Sequence, residues 1–148
     1  MKATFLVLSF LLFVAVRSSL IVSGTQNPQA RPAETSASRG RYLVEEVAKC
    51  TECHTPRDAE NQLDRWRWLQ GASVWIQPVR PVPNWAPFAP PLAGLPSFSD
   101  EQMERVLERG KAASGREIEP PMHIYHLNHS DALAVIAYLR SLPTATSH

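Results

Sequence analysis

Cys50-Thr51-Glu52-Cys53-His54 is the stretch on which the reading of this 148-residue chain turns. Two thiols separated by two residues on a helical turn stand where each can add across one vinyl group of a haem. The imidazole that follows is then held beneath the ring, within reach of the iron. C-x-x-C-H is the spacing this attachment requires, and the chain has no other cysteine.

Three other uses of paired cysteines fit less well. A thioredoxin-like redox pair needs a βαβ context, whereas the approach Gly40-Arg41-Tyr42-Leu43-Val44-Glu45-Glu46-Val47-Ala48-Lys49 is helical and no parallel-sheet pattern surrounds it. Structural zinc wants a second ligand pair, and His123, His126, His129 and His148 offer weak spacing without another thiol. A disulfide closing so short a loop removes little entropy from the unfolded chain.

The N-terminus agrees with covalent haem on independent grounds. Met1-Lys2 is a short positive region, Ala3 to Val16 is an apolar run of 14 residues, and small residues follow at Ser18, Ser19, Ser23 and Gly24. That layout is a secretory leader over residues 1–24. An uncleaved anchor is the alternative, because Leu20-Ile21-Val22 extends the run past Arg17 toward the ~20 residues a spanning helix needs. Residues 25–39 are polar and small and read as a flexible linker. Residues 40–148 then form one small domain. Its own apolar core is limited, so the haem-free form is expected to be poorly ordered. The chain holds 15 basic and 14 acidic side chains; losing Lys2 and Arg17 with the leader leaves 13 against 14. Nucleic-acid binding, which calls for a basic excess, is excluded as a function class.

Three helices are legible. The first runs from about Arg41 to Cys53, with Tyr42, Leu43, Val44 and Val47 as its apolar stripe. The second starts at Ser99, where Ser99-Asp100-Glu101-Gln102 reads as a capping box, and ends at Gly110. The third spans about Ser130 to Ser141, with Leu133, Ile136, Ala137, Tyr138 and Leu139 as its apolar face and Pro143 as its stop. Between the first two, Arg57 to Pro96 carries Trp66, Trp68, Trp75 and Trp85 and most of the prolines. Proline excludes regular helix and central strand there. A loop so long in a small domain is functional or wrapped around something, and two or three of the four tryptophans are expected against haem or core.

His54 fills one axial position of an iron. For the other, Met122 follows Glu119-Pro120-Pro121, so its thioether is presented from a stiffened segment. Met103 lies mid-helix, where core packing is the ordinary role. A His/Met pair favours Fe(II) relative to two histidines. His123, the next residue, is the competing ligand and would give a lower potential. His126 and His129 read as loop or cap residues.

With Cys50, Cys53, His54 and Met122 placed, residues 40–143 resemble the class I c-type cytochrome domain. They are most similar to haem domains of the cytochrome subunits of bacterial alcohol and aldehyde dehydrogenases. The carrying motifs are Cys50-x-x-Cys53-His54-Thr55-Pro56-Arg57-Asp58, Trp68-Leu69-Gln70-Gly71, Ala89-Pro90-Pro91-Leu92-Ala93-Gly94, Pro120-Pro121-Met122 and Ala137-Tyr138-Leu139-Arg140-Ser141-Leu142-Pro143. The resemblance implies an all-α, cytochrome c-like fold: three or more helices around one covalent haem c and its iron, with a long Pro/Trp-rich loop. It also implies that the first and last helices cross, with Tyr138 and Leu139 near Tyr42 and Leu43. Relatives usually follow Pro-Pro-Met with proline or another non-coordinating residue, and this chain departs from them with His123. In the family, a carbonyl from a proline region accepts the proton on Nδ1 of the histidine corresponding to His54. Pro56 lies very near and Pro96 far, and the motif does not choose between them.

The expected function is that of an exported, periplasmic one-electron carrier and not an enzyme. It would cycle between Fe(III) and Fe(II), with His54 and Met122 on the iron and a haem edge exposed for docking. Its partners would be redox proteins: a dehydrogenase as donor, and an oxidase or other acceptor. The alternatives are a cytochrome subunit of a periplasmic dehydrogenase, membrane-associated through its N-terminus, or a haem gas sensor with a labile sixth ligand.

Overall fold

The computed structural model describes residues 35–144. The expected leader, residues 25–34 of the expected linker and His148 lie outside the described residues. Among the described residues no helix is long and apolar enough to cross a membrane. The helices are α1 (Ser36–Tyr42), α2 (Cys50–His54), α3 (Asp100–Arg109) and α4 (His129–Ser141), joined by a two-stranded antiparallel pair, β1 (Ala72–Ser73) with β2 (Phe88–Ala89).

The first helix differs from its expected form at both ends. It begins at Ser36, inside the stretch read as linker, because the Thr35 side chain accepts a hydrogen bond from the Ser38 amide and caps it. Its first turn hid from a hydrophobic pattern because its contacts are small: Gly40 is buried and Ala37 is half-buried. Nor does it run unbroken to Cys53. After Tyr42 it widens into a π-turn over Leu43–Val47, and Lys49 then adopts a left-handed conformation with φ 51°. The Ala48 amide donates to the Leu43 carbonyl at 2.8 Å, the five-residue reach that defines the widening. The cysteines therefore sit on their own short helix, re-aimed by Lys49. Helical propensity does not forbid a continuous helix through Ala48-Lys49-Cys50, so the break has no local signature.

The core is built where α1 and its π-turn cross α4. Leu43, Val44, Val135, Ile136 and Leu139 form one buried cluster with Leu92, Leu95, Met103, Val106 and Leu107. The crossing is close: a Cβ on Gly40 would lie 1.9 Å from the Ala134 carbonyl oxygen and 2.8 Å from the Tyr138 Cβ. Tyr138 and Leu139 do face the first helix, as expected. The Tyr138 hydroxyl donates to Glu45, and Leu139 shares the cluster with Leu43. Tyr42 stays half exposed with Arg39 over its ring, and Leu133 is exposed, displaced from the buried face of α4 by Ala132 and Val135. Burial opposes the charge on Glu45, yet hydrogen bonds from Tyr138, Arg41 and Trp68 and the Arg41 charge hold its carboxyl below the usual range. Arg39 pairs with Asp131 at 2.9 Å and clamps the helix starts together.

The caps of α3 form as read. Ser99 and Gln102 close a reciprocal capping box, and Gly110 ends the helix at φ 62°. On α4 the cap is Asn128, whose side chain accepts from the Asp131 amide, so the helix starts one residue before the expected Ser130. The tryptophans depart from expectation. Trp66 is 93% exposed and Trp75 59%. Trp85 is half-buried, and only Trp68 packs against the core cluster among the described residues. Arginines explain two of these positions, since Arg65 stacks on Trp68 at 4.2 Å and Arg57 on Trp75 at 5.0 Å.

Candidate functional site

The helix α2 carries Cys50, Cys53 and His54 into the wall of an apolar cavity of about 680 Å³, and Met122 lines the same cavity from the loop before α4. Most of the rest of the wall is hydrophobic. Leu43, Val44 and Leu139 come from the α1–α4 crossing, Met103 and Leu107 from α3, and Phe88 and Pro90 from the β2 segment. The Pro-rich loop thus supplies part of the wall, as its length suggested, but through Val74, Ile76, Phe88 and Leu92 and with no tryptophan among the described residues. The volume and apolar lining are those of a pocket for an organic cofactor.

His54 is buried, and its ring is fixed from behind. Nδ1 lies 2.7 Å from the Pro90 carbonyl oxygen. A carbonyl only accepts, so Nδ1 carries the proton and donates, leaving the Nε2 lone pair free. Burial lowers the His54 pKa from its ordinary value, against a smaller opposing effect of the Pro90 hydrogen bond. The imidazole is therefore neutral at physiological pH, the form that binds a metal. The acceptor is neither Pro56 nor Pro96. Pro90 follows β2, and the β1–β2 pairing, with Ala72 opposite Ala89, holds it in place. Behind His54, its own carbonyl accepts from the Gly71 amide at 2.8 Å, and the buried Thr55 hydroxyl accepts from the Leu69 amide at 3.0 Å.

Both cysteines are free. Burial pushes the Cys50 thiol up to about 11, and burial followed by the Glu52 charge raises that of Cys53. A redox-active or metal-binding pair needs its thiolate stabilised, and this environment does the reverse. These thiols are neutral groups at the edge of an apolar cavity, beside an oriented imidazole. The residues fit a covalently attached haem.

Met122 is half-buried and His123 exposed, although both line the cavity. The Met122 amide donates to the Glu119 carbonyl at 3.3 Å, and the Pro120–Pro121 bond before it is cis. Tyr125, three residues on, also lines the cavity, and its hydroxyl donates to the Ala48 carbonyl at 2.9 Å. Burial pushes its phenol up to about 12, so it remains a donor. Met103 is buried in the core, the role its place in a helix suggested. His126 is a loop residue as read and His129 opens α4, but neither is satisfied locally, since both find their partners on α3. His129 pairs with Glu108 at 2.9 Å and Glu104 at 3.3 Å on α3, and His126 Nδ1 lies 3.3 Å from the Glu108 carbonyl oxygen.

The cytochrome c family model matches residues 37–143. The chain belongs to the cytochrome c family. Its electron-carrier function and its helical fold with a small two-stranded sheet follow from that membership. The fructose dehydrogenase cytochrome subunit of Gluconobacter japonicus is 34% identical over 111 residues, covering 72% of this chain and 22% of the relative. A protein named diheme cytochrome c-type from Cereibacter sphaeroides is 32% identical over 130 residues, 84% of this chain and 39% of its own. The cytochrome c subunit of the quinone-linked alcohol dehydrogenase of Gluconobacter oxydans is 26% identical over 137 residues, 86% of this chain and 28% of its own. This cytochrome c thus spans between 22% and 39% of the length of these relatives.

Pro90 and Tyr125 were not read as site residues from the sequence. Both act through a carbonyl, Pro90 as the acceptor and Tyr125 as the donor to one, and a main-chain partner leaves no residue-type signature. The Glu104–Glu108–His129 grouping was invisible for another reason: it joins two helices separated by a loop.

Proposed function

We propose that this cytochrome c is an exported single-haem electron carrier that takes electrons from a dehydrogenase. Cys50 and Cys53 would hold a haem through two thioether bonds, and His54 Nε2 and Met122 Sδ would be the protein ligands to its iron. The observation that carries the reading is the convergence of these four side chains on one apolar cavity, with His54 already oriented by Pro90. Bound haem supplies an iron that exchanges one electron between Fe(III) and Fe(II). The chain's contribution is to hold His54 in the tautomer that leaves Nε2 available, to surround the site with apolar side chains that disfavour excess charge, and to fill the sixth position so that no substrate occupies it. The thioether of Met122 favours the reduced state relative to a second imidazole. The dehydrogenase donor is supported by the names of the relatives, two of which are dehydrogenase cytochrome subunits.

Absorption spectra of the oxidised and reduced protein, with Met122→Ala beside the wild type, test the ligation. Loss of the near-infrared sulfur-to-iron band in the variant is expected, and an unchanged spectrum hands the position to His123. The intact mass gives the haem count, with one haem per chain expected. It also reads the N-terminus: loss of the leader fits a free carrier, and Met1 retained on membrane-bound protein favours an anchored subunit.

A further inference from the structure

Two candidate sulfur or nitrogen ligands stand side by side at Met122 and His123, with backbones about 3.8 Å apart, so something in the fold must choose between them. The segment that carries them has no regular structure and is tied at few points. At its start the Pro120 carbonyl accepts from the Ala86 amide at 2.7 Å, and at its end the Leu127 amide donates to the Leu107 carbonyl at 3.0 Å. Between these, the Met122 amide bond to Glu119 is local, and His126 reaches only to α3. The Tyr125 hydroxyl is different. It crosses 77 residues of sequence to the Ala48 carbonyl at 2.9 Å.

Ala48 is a significant place to be held. It closes the π-turn and immediately precedes Lys49, whose left-handed backbone aims Cys50 and with it the whole attachment helix. The Tyr125–Ala48 bond therefore joins the Met122 loop to the base of the cysteine turn, two walls of one cavity. Its partners are half-buried, so water does not readily replace the bond. The Tyr125 ring also meets the His123 ring edge-on at a centroid distance of 6.2 Å, and both rings line the cavity.

We propose that Tyr125 is a positioning residue whose hydroxyl latches the Met122 loop to Ala48, keeping Met122 and not His123 presented to the iron. The inference rests on the His54/Met122 ligation proposed above. Without the hydroxyl, the Ala48 carbonyl loses its partner and the loop is held only at its two ends and by the His126 contact with α3. A one-residue shift that brings His123 inward then costs less. A single neutral hydrogen bond corresponds to about a fivefold change in such an equilibrium.

The test uses haem-loaded, full-length Tyr125→Phe, which keeps the ring and removes only the oxygen, together with His123→Ala, the double variant and Met122→Ala. Two quantities are read on the oxidised protein at neutral pH: the intensity of the near-infrared sulfur-to-iron band and the affinity for added imidazole. In Tyr125→Phe the band is expected to weaken and imidazole to bind about fivefold more tightly. His123→Ala in the same chain should restore the band and leave the imidazole affinity raised, a pattern that a merely destabilised fold does not produce. A Tyr125→Phe protein matching wild type in both readouts, while Met122→Ala abolishes the band, overturns the latch and leaves methionine ligation standing. A wild-type protein without the band overturns both. Should the variant yield no haem-loaded protein, wild-type NMR decides: a slowly exchanging Tyr125 hydroxyl proton close to Ala48 is expected, and a freely exchanging one refutes the latch.

Discussion

Replacing Gly40 with alanine adds one methyl group outside the cavity, and the structure makes its effect calculable. The new Cβ would lie 1.9 Å from the Ala134 carbonyl oxygen, about 1 Å inside the 3.0 Å below which something must shift. The obstacle is main chain, which cannot rotate aside as a long side chain would, and the Tyr138 Cβ blocks a second direction at 2.8 Å. The helices must separate, and Leu43, Val44 and Leu139, which line the cavity, move with them. Overpacking of this kind costs about 1–3 kcal/mol, and a backbone obstacle puts it at the upper end. Alanine recovers about 1 kcal/mol through helix propensity. The net loss is about 2 kcal/mol, which for a domain of this size lowers the unfolding midpoint by about 8 °C. Thermal unfolding of the haem-loaded protein, followed by circular dichroism, measures it. An unchanged or higher midpoint in Gly40→Ala would refute the argument that the helix crossing is set by backbone contact.

Ser99→Ala removes one half of the capping box at the start of α3 and is expected to cost about 1 kcal/mol, read as a lower midpoint in urea with an unchanged slope. Trp66→Ala should shift stability by no more than about 0.5 kcal/mol because the ring is 93% exposed, whereas Trp68→Ala, packed on the core, should cost about 2–3 kcal/mol in the same titration. His129 should titrate above its ordinary value in an NMR pH series, because the hydrogen bond to Glu108 and the charge of Glu104 favour the protonated ring. With the folded pKa raised, its contribution to stability is fully present below the unfolded value near 6.5 and is lost as pH rises through the folded value; a midpoint at or below 6.5 would contradict the pairing.

Much of the site was legible because its chemistry is local. Cys50, Cys53 and His54 lie within five residues, and the proline-flanked Met122 stands apart from a methionine inside a helix. The capping box of α3 and the apolar face of α4 were legible too, since each is a short-range pattern with one physical solution. The early start of α1 was not, because a helix that packs through Gly40 and Ala37 shows no hydrophobic stripe. The left-handed Lys49 was not legible either; its conformation is imposed by the need to bring α2 to the cavity and not by its own preference. The tryptophans misled because size suggests burial, while Arg57 offered Trp75 a stacking partner near the surface.

The bond from His54 to the Pro90 carbonyl has a consequence for how this protein varies over time. An acceptor supplied by a side chain is one substitution away from loss, and inheritance of the bond is then visible as inheritance of a residue type. An acceptor supplied by the main chain survives any replacement that keeps the backbone path. Position 90 is therefore free to drift in chemistry while being constrained in shape, and proline meets that constraint by restricting φ and donating nothing of its own. The orientation of the histidine is inherited as a curve of the chain, which is robust to point mutation and vulnerable to a slip in the β1–β2 register.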